Sequence, residues 1–433
     1  MRIGVAYYPE HWPEDRWPVD AGLMKQAGID TVRMGEFAWS RLEPKRGQYD
    51  MGWLEKAIDV FAAEGLRVIL CTPTAAPPAW LFHRHPSMAA RDRQDLEWHT
   101  GSQGSACLNN RPYRRYVRRI LREVARRFAR NKHVVAWQID NEISARGGGP
   151  CYCDDCEQAF REWLRRRYGT IERLNKLWGT VFWSQEFADW HLVPAPRRTP
   201  GGPHPSLALD YHRFVSATVR DFVDEQKKLL SEYAREPITV TSNVSQDETA
   251  RLDLFSLAAT EDVVAIEDLP HGAADLDKTA LNLDIARSVK RAPFWVLKQR
   301  AGAGAPGAER RQYLPGQLRL WAFQAAAHGA ELLNFYRWRA TPFGQEMACH
   351  GLLAPDGTET RGFAELRDTL LEMGRYGAAW KGRLPDARVA LVLDYHALWA
   401  LDLGRDTSTG LGVEANIAQI HGILRAAGQP VDV

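Results

Sequence analysis

A chain of 433 residues is long enough for one large barrel plus part of a second unit. With 45% hydrophobic and 25% charged residues it has an ordinary globular composition, and a formal net charge of +2 points to no nucleic-acid, membrane or acidic partner. No apolar run approaches the ~18 residues of a membrane span, the opening MRIGVAYYPE does not read as a signal peptide, and six unevenly spaced Cys do not form a secreted disulfide pattern, so a reducing cytoplasm is the expected setting.

Short β-rich apolar runs alternate with longer helical patterns along the chain. The runs are Arg2–Tyr8, Thr31–Gly35, Arg67–Thr72, Val134–Glu142, Pro237–Asn243, Val263–Asp268, Pro293–Gln299 and Glu331–Arg339. The helical stretches after them are Glu14–Gly28, Met51–Gly65, Arg111–Arg130, Tyr211–Ala234, Thr249–Thr260, Leu281–Lys290, Gln317–Gly329 and Phe363–Tyr376. Eight such pairs predict an α/β fold, a (β/α)8 TIM barrel. Near-continuous apolar strands suit a sheet buried on both faces. Arg111–Arg130 is crowded with Arg, yet Tyr113, Tyr116, Val117, Ile120, Leu121, Val124 and Phe128 recur at helical spacing. One face is therefore core, and the arginines form a solvated outer face rather than a nucleic-acid patch.

After the fourth strand, residues 143–210 insert a Cys cluster, a helix near Glu157–Tyr168, a loop with Trp178, Trp183 and Trp190, and a Pro/Gly-rich loop at Pro194–Pro205. Beyond Tyr376 the pattern restarts with a strand at Arg388–Tyr395, a helix at Ala415–Gly428 and a strand start at Pro430–Val433. The expected division is a barrel over 1–376 and the beginning of a second α/β domain over 377–433.

Active sites of such barrels lie at the C-terminal ends of the strands. The polar residues there are Arg33 and Glu36, Asp140, Asn141 and Glu142, Ser242 and Asn243, Glu267 and Asp268, Lys298 and Gln299, and Arg337 and Arg339 followed by Glu346 and His350. Carboxylates and Trp converging on one mouth suggest glycoside chemistry. That chemistry needs one carboxylic acid to protonate the leaving oxygen and a second group to attack the anomeric carbon or activate water. Glu142 ends an apolar strand, where burial is expected to raise its pKa and make it the acid/base. The neighbouring Asn141 could hold a sugar hydroxyl. A structural carboxylate paired with an arginine such as Arg33 is the competing reading of Glu142, and position alone leaves the two even.

Several segments together resemble the family 42 β-galactosidases. They are Gly4-Val5-Ala6-Tyr7-Tyr8-Pro9-Glu10-His11-Trp12, Arg33-Met34-Gly35-Glu36-Phe37-Ala38-Trp39-Ser40 with Leu42-Glu43-Pro44, and Trp137-Gln138-Ile139-Asp140-Asn141-Glu142. Further along come Pro293-Phe294-Trp295, Ala327-His328-Gly329-Ala330 and Phe335-Tyr336-Arg337-Trp338-Arg339. The resemblance spans essentially the whole chain. It implies a catalytic barrel, a retaining double displacement on a β-galactoside or related carbohydrate, and a flavodoxin-like α/β domain that makes the full-length protein a homotrimer. It also implies Glu142 as proton donor, Asn141 as a sugar contact, Arg33 as support for the catalytic carboxylates, and Trp183 and Glu346 as walls of the sugar pocket.

Cys151, Cys153 and Cys156 cluster in Pro150-Cys151-Tyr152-Cys153-Asp154-Asp155-Cys156. Residues two apart do not easily meet disulfide geometry. Four thiolates suit structural zinc, with Cys107 as the fourth. The resemblance strengthens this, since matching members carry a zinc held by four cysteines here. A closed four-sulfur site would tie loops together and take no part in catalysis.

The chain departs from the pattern inside the site. Where the family carries its nucleophilic Glu, after Phe294-Trp295-Val296-Leu297, this chain has Lys298, and an ammonium cannot form a glycosyl ester. Gln103 stands where an Arg is usual, Cys349 where a His is expected, and strand six, with Glu267, lacks the usual aromatics. Three readings follow. In the first, the protein is a glycosidase in which Glu267 supplies the missing carboxylate, as nucleophile or as base for an inverting reaction, and pairs with Lys298. The second is a carbohydrate-binding barrel that no longer cleaves. The third is a purely structural subunit, which the polar ring at the barrel mouth disfavours.

Overall fold

The computed structural model of the chain describes all residues except 144–148, 246–250, 271, 273–274, 305–311, 381 and 404–412. Eight parallel strands form the barrel: β1 (Arg2–Ala6), β2 (Thr31–Met34), β3 (Arg67–Cys71), β4 (Val134–Ile139), β5 (Val240–Ser242), β6 (Ala265–Asp268), β7 (Phe294–Arg300) and β8 (Ala330–Tyr336). Their order is β5-β4-β3-β2-β1-β8-β7-β6, with β1 against β8 as closure requires. Between β5 and β6 the ladder reduces to a single parallel bridge, Val244 to Ile266. There Glu267 N donates to the Val244 carbonyl at 3.0 Å, so the seam of the barrel pins the backbone of Glu267.

The strands are shorter than their apolar runs because pairing stops where the chain turns outward. Ile69, Ala136, Ala265, Trp295, Leu297 and Leu332 pack inside the barrel and leave no pore. The helix at Arg111–Phe128 buries the expected stripe and is capped by Asn110 Oδ1, which accepts from Tyr113 N at 2.9 Å. Four of its arginines are in ion pairs, Arg114 and Arg118 with Glu225, Arg126 with Glu123 and Arg127 with Glu55. The arginines form the outer face, as the sequence indicates. The expected helix at Thr249–Thr260 shortens to Leu254–Ala258 among the described residues.

The insertion carries two helices, Asp154–Tyr168 and Ile171–Trp178. Trp178 therefore ends a helix instead of lying in a loop. Thr170 Oγ1 accepts from Arg173 N at one end and Gly179 turns into the left-handed region, φ 71°, at the other. These helices pack on the long helix Pro205–Tyr233 through Phe160, Leu164, Trp178, Tyr211 and Phe214, a satellite core that includes the cysteine cluster.

The last barrel helix, Arg361–Trp380, runs past Tyr376. Beyond it, β9 (Val389–Ala390) and β10 (Val431–Asp432) pair in parallel, with helices at Tyr395–Leu403 and Val413–Ala426 between them. The strand expected to reach Tyr395 pairs over two residues only, because Asp394 Oδ1 accepts from His396 N at 2.8 Å and starts a helix there. Among the described residues no helix is long and apolar enough to cross a membrane.

Candidate active site

The strand ends converge as the fold requires. Glu142 leaves β4 through a tight turn in which Asp140 and Glu142 both take positive φ, 55° and 43°. Such backbone costs about 1–2 kcal/mol per residue and needs anchoring. Asp140 supplies the anchor: its carboxylate accepts from Thr74 Oγ1 at 2.6 Å and from Asn141 N at 2.8 Å.

Parallel register sets Glu267 of β6 opposite Lys298 of β7. Lys298 Nζ then lies 2.7 Å from Glu267 Oε1 and 2.5 Å from Glu142 Oε1. The expected pairing of Lys298 with Glu267 forms, and Glu142 joins it. The Tyr336 ring packs 5.3 Å from the ammonium. Arg33, on β2, does not reach Glu142. It donates to Glu36 at 2.6 Å and to Gln138 at 2.7 Å, and Tyr8 caps the other Glu36 oxygen at 2.6 Å. Its support of the carboxylate pair is therefore indirect.

The electrostatics correct one expectation. Burial pushes the Glu142 carboxyl up, but the charge and hydrogen bond of Lys298 outweigh it and hold Glu142 below the ordinary carboxylate value. Glu267 goes the other way. Burial raises it first, the Glu142 charge adds to that, and Lys298 only partly offsets the rise. Burial works against the Lys298 charge, but Glu142, Glu267 and Glu36 together hold it protonated. Lys298 thus draws Glu142 down, while burial and the Glu142 charge push Glu267 up.

Gln103 and Tyr336, which border the triad, also wall a cavity of about 540 Å³ together with Tyr8, His11, Arg337 and Glu346 among others. Glu346 is placed as expected, with Tyr336 Oη donating to it at 2.6 Å. Burial drops His11 and His350 to about 4, so both are neutral near pH 7. Asn141 is buried behind the cavity-lining Gln103, to which it donates at 2.5 Å. Trp183 is not brought here. It is 74% exposed on the insertion, with its ring tilted against Phe182, and does not line the cavity of its own chain. Gln138, Asn243 and Gln103 carry no assigned role in the sequence reading, although Asn243 stands among the strand-end polar residues, Gln103 among the departures from the family pattern, and Gln138 inside the otherwise apolar β4.

A family profile for glycosyl hydrolase family 42, described as β-galactosidase, matches residues 6–376. The chain belongs to that family. A Thermus β-galactosidase is 39% identical over 451 residues, covering 100% of this chain and 68% of the relative. One from Haloferax lucentense is 37% identical over 449 residues, covering 100% and 66%. The solved β-galactosidase of the Antarctic haloarchaeon Halorubrum lacusprofundi superposes with a TM-score of 0.95 at 37% identity, covering 100% of this chain and 66% of its own. The family 42 chain described here therefore spans about two thirds of the length of these relatives.

The four cysteines of this family 42 barrel meet as anticipated. The sulfurs of Cys107, Cys151, Cys153 and Cys156 all lie within 4.8 Å of one another. Cys107 and Cys156 are 3.3 Å apart, too far for a disulfide and near the spacing of thiolates around one ion. Asn109 Nδ2 and Arg91 N point at two of the sulfurs, as donors around bound thiolates do. The donor set fits a closed tetrahedral metal site.

Proposed function

We propose that this chain is the barrel portion of a glycosidase acting on β-galactosides, with Glu142 and Glu267 as its carboxyl pair and Lys298 as the cation between them. The observation that carries the reading is the triad. Two carboxyl groups accept from one ammonium, which keeps them within the ~5 Å that goes with retention and below the spacing that goes with inversion. With Glu142 drawn down and Glu267 pushed up, a proton held on Glu267 has to pass to Glu142 before the reaction, which leaves an acid on Glu142 and a carboxylate on Glu267 that Lys298 stabilises. Asn141 and Glu346 hold sugar hydroxyls in the cavity, and Arg33 acts through Glu36 and Gln138. A nitrophenyl β-galactoside should turn over with retention of the product anomer by NMR. Glu142→Gln and Glu267→Gln should each lower kcat by about 10²–10⁴. Full turnover in Glu267→Gln removes Glu267 from the reaction.

One feature of the triad favours a second reading, a carbohydrate-binding barrel that no longer cleaves. Glu142 and Glu267 both close on the Lys298 ammonium, and an anomeric carbon has to part them. In that case galactosides bind calorimetrically without turnover, and Lys298→Glu generates activity.

The cysteine cluster is proposed to hold one structural zinc, coordinated by Cys107, Cys151, Cys153 and Cys156. One zinc per chain by mass spectrometry under native conditions, with a lower Tm after chelation, is the expected result. The segment after Trp380 is proposed as the start of a flavodoxin-like α/β domain, through which the full-length protein assembles as a homotrimer in the cytoplasm.

A further inference from the structure

Four side-chain amides lie in a row beneath the cavity, and every one of them has a forced orientation. Arg33 has only donors to offer, so Gln138 must turn its oxygen to Arg33 Nη1, at 2.7 Å. Its Nε2 then faces the carbonyl of Asp140, which can only accept, at 2.8 Å. The same Nε2 donates to Asn243 Oδ1 at 2.7 Å. Asn243 therefore presents Nδ2, which donates to Asn141 Oδ1 at 2.8 Å and to Glu267 Oε1 at 2.5 Å. Asn141 in turn presents Nδ2 to Gln103 Oε1 at 2.5 Å. Gln103 Nε2 ends the row, 3.5 Å from Glu142 Oε2.

We infer that Gln138, Asn243 and Gln103 are positioning residues that form a one-way amide relay from Arg33 to Glu142, and that this relay fixes Asn141 as a hydrogen-bond donor toward the bound sugar. The inference deepens the glycosidase reading and rests on it for the sugar. The relay itself rests only on which groups can donate. Each amide fixes its neighbour, because a flipped amide sets oxygen against oxygen or N–H against N–H in a site where Gln138, Asn141 and Asn243 are all buried. Gln103, alone of the four, lines the cavity and is the member a sugar displaces. A hydroxyl taking its place must accept from Asn141 Nδ2.

Reversing the relay tests it. In Gln138→Glu the new carboxylate still accepts from Arg33 but cannot donate to Asn243. Asn243 then turns its N–H to the carboxylate, Asn141 turns in response, and the cavity meets an acceptor. Asn243→Asp forces the same turn of Asn141 one step later and leaves the Arg33 contact intact. The first readout needs no sugar. In protein labelled with [15N]asparagine, the side-chain NH2 pairs of Asn141 and Asn243, identified by their loss in Asn141→Asp and Asn243→Asp, should shift in Gln138→Glu. Unmoved signals in a folded variant overturn the relay.

The second readout is calorimetric binding of monodeoxy and monofluoro galactosides, since fluorine accepts but does not donate. In the parent protein one ring position should tolerate fluorine and lose about tenfold in affinity on deoxygenation. In Gln138→Glu or Asn243→Asp the fluoro analogue at that position should lose as much as the deoxy one. Equal losses for both analogues at every position of the parent overturn the donor assignment. If no galactoside binds while the NH2 signals move, the relay stands and the glycosidase reading falls.

Discussion

At the barrel mouth, Lys298 is shared by Glu142 and Glu267, and the Glu142 side chain stays 23% exposed. On the barrel's flank lies a second cluster of buried charge. Asp284 accepts from Arg287, from His328 Nδ1 at 2.6 Å and from His421 Nε2 at 2.8 Å. Arg287 continues to the Val431 carbonyl at 2.6 Å and to Asp432 at 3.0 Å, so the cluster ties the C-terminal segment to the barrel. Both clusters bury charge of both signs, and they differ in what stands next to them. On the flank one carboxylate is surrounded by Arg287, His328 and His421, and Arg287 with Asp432 borders an outer cleft. At the mouth the balance is reversed: two carboxyl groups share one ammonium at the C-terminal ends of the strands, and their pKa values are pushed in opposite directions. Buried charge alone does not mark a functional site; carboxyl groups pushed apart at the strand ends of a barrel do.

The comparison can be broken at its strongest point. Lys298→Met keeps the volume but leaves two buried carboxyls without their cation, which should cost about 3–5 kcal/mol in denaturant unfolding at pH 7. The loss should shrink toward pH 5, because at the mouth the carboxyls can take protons. An unchanged unfolding midpoint would show that the ammonium does not hold the mouth together. A smaller effect is expected on the flank. Asp284→Asn keeps the shape and removes the charge that Arg287, His328 and His421 face, which should cost about 2–3 kcal/mol and speed amide exchange in residues 413–433 before the barrel strands. Uniform exchange would mean that the two parts unfold as one.

The smallest effect is in acid, and its sign follows from Asp284. Burial raises that carboxyl, but hydrogen bonds from His328 and His421 and the charges of His328 and Arg287 hold it well below its ordinary value. A depressed acid stabilises the fold above its unfolded pKa, ~3.9, and the contribution fades as pH falls through the lower folded value. The flank should therefore hold its docking down to about pH 4 and loosen only below it. Loosening near pH 6 in exchange measurements would assign the clamp to the histidines instead.

Much of this was legible in the residues. Period, length and punctuation gave eight strand–helix pairs, and the runs with the strongest β character became strands nearly in place. The Thr170 and Gly179 caps of Ile171–Trp178 were present in the sequence too, but three tryptophans made the stretch look like a loop. The mouth was legible as a set of strand-end polar residues, yet not as a network. Gln138, Asn243 and Gln103 belong to three separate segments, and nothing local says that their amides meet.

The barrel, the family, the four cysteines and the unusual lysine at the end of β7 are readable from the residues alone, because each is written in local pattern or in short motifs. It takes the closed barrel to show that Lys298 bridges Glu142 as well as Glu267, that Glu142 is pulled down while Glu267 is pushed up, and that Trp183 lies outside the cavity of its own chain. Ionisation and hydrogen-bond polarity depend on distances between segments tens to more than a hundred residues apart, and those distances exist only once the barrel has closed.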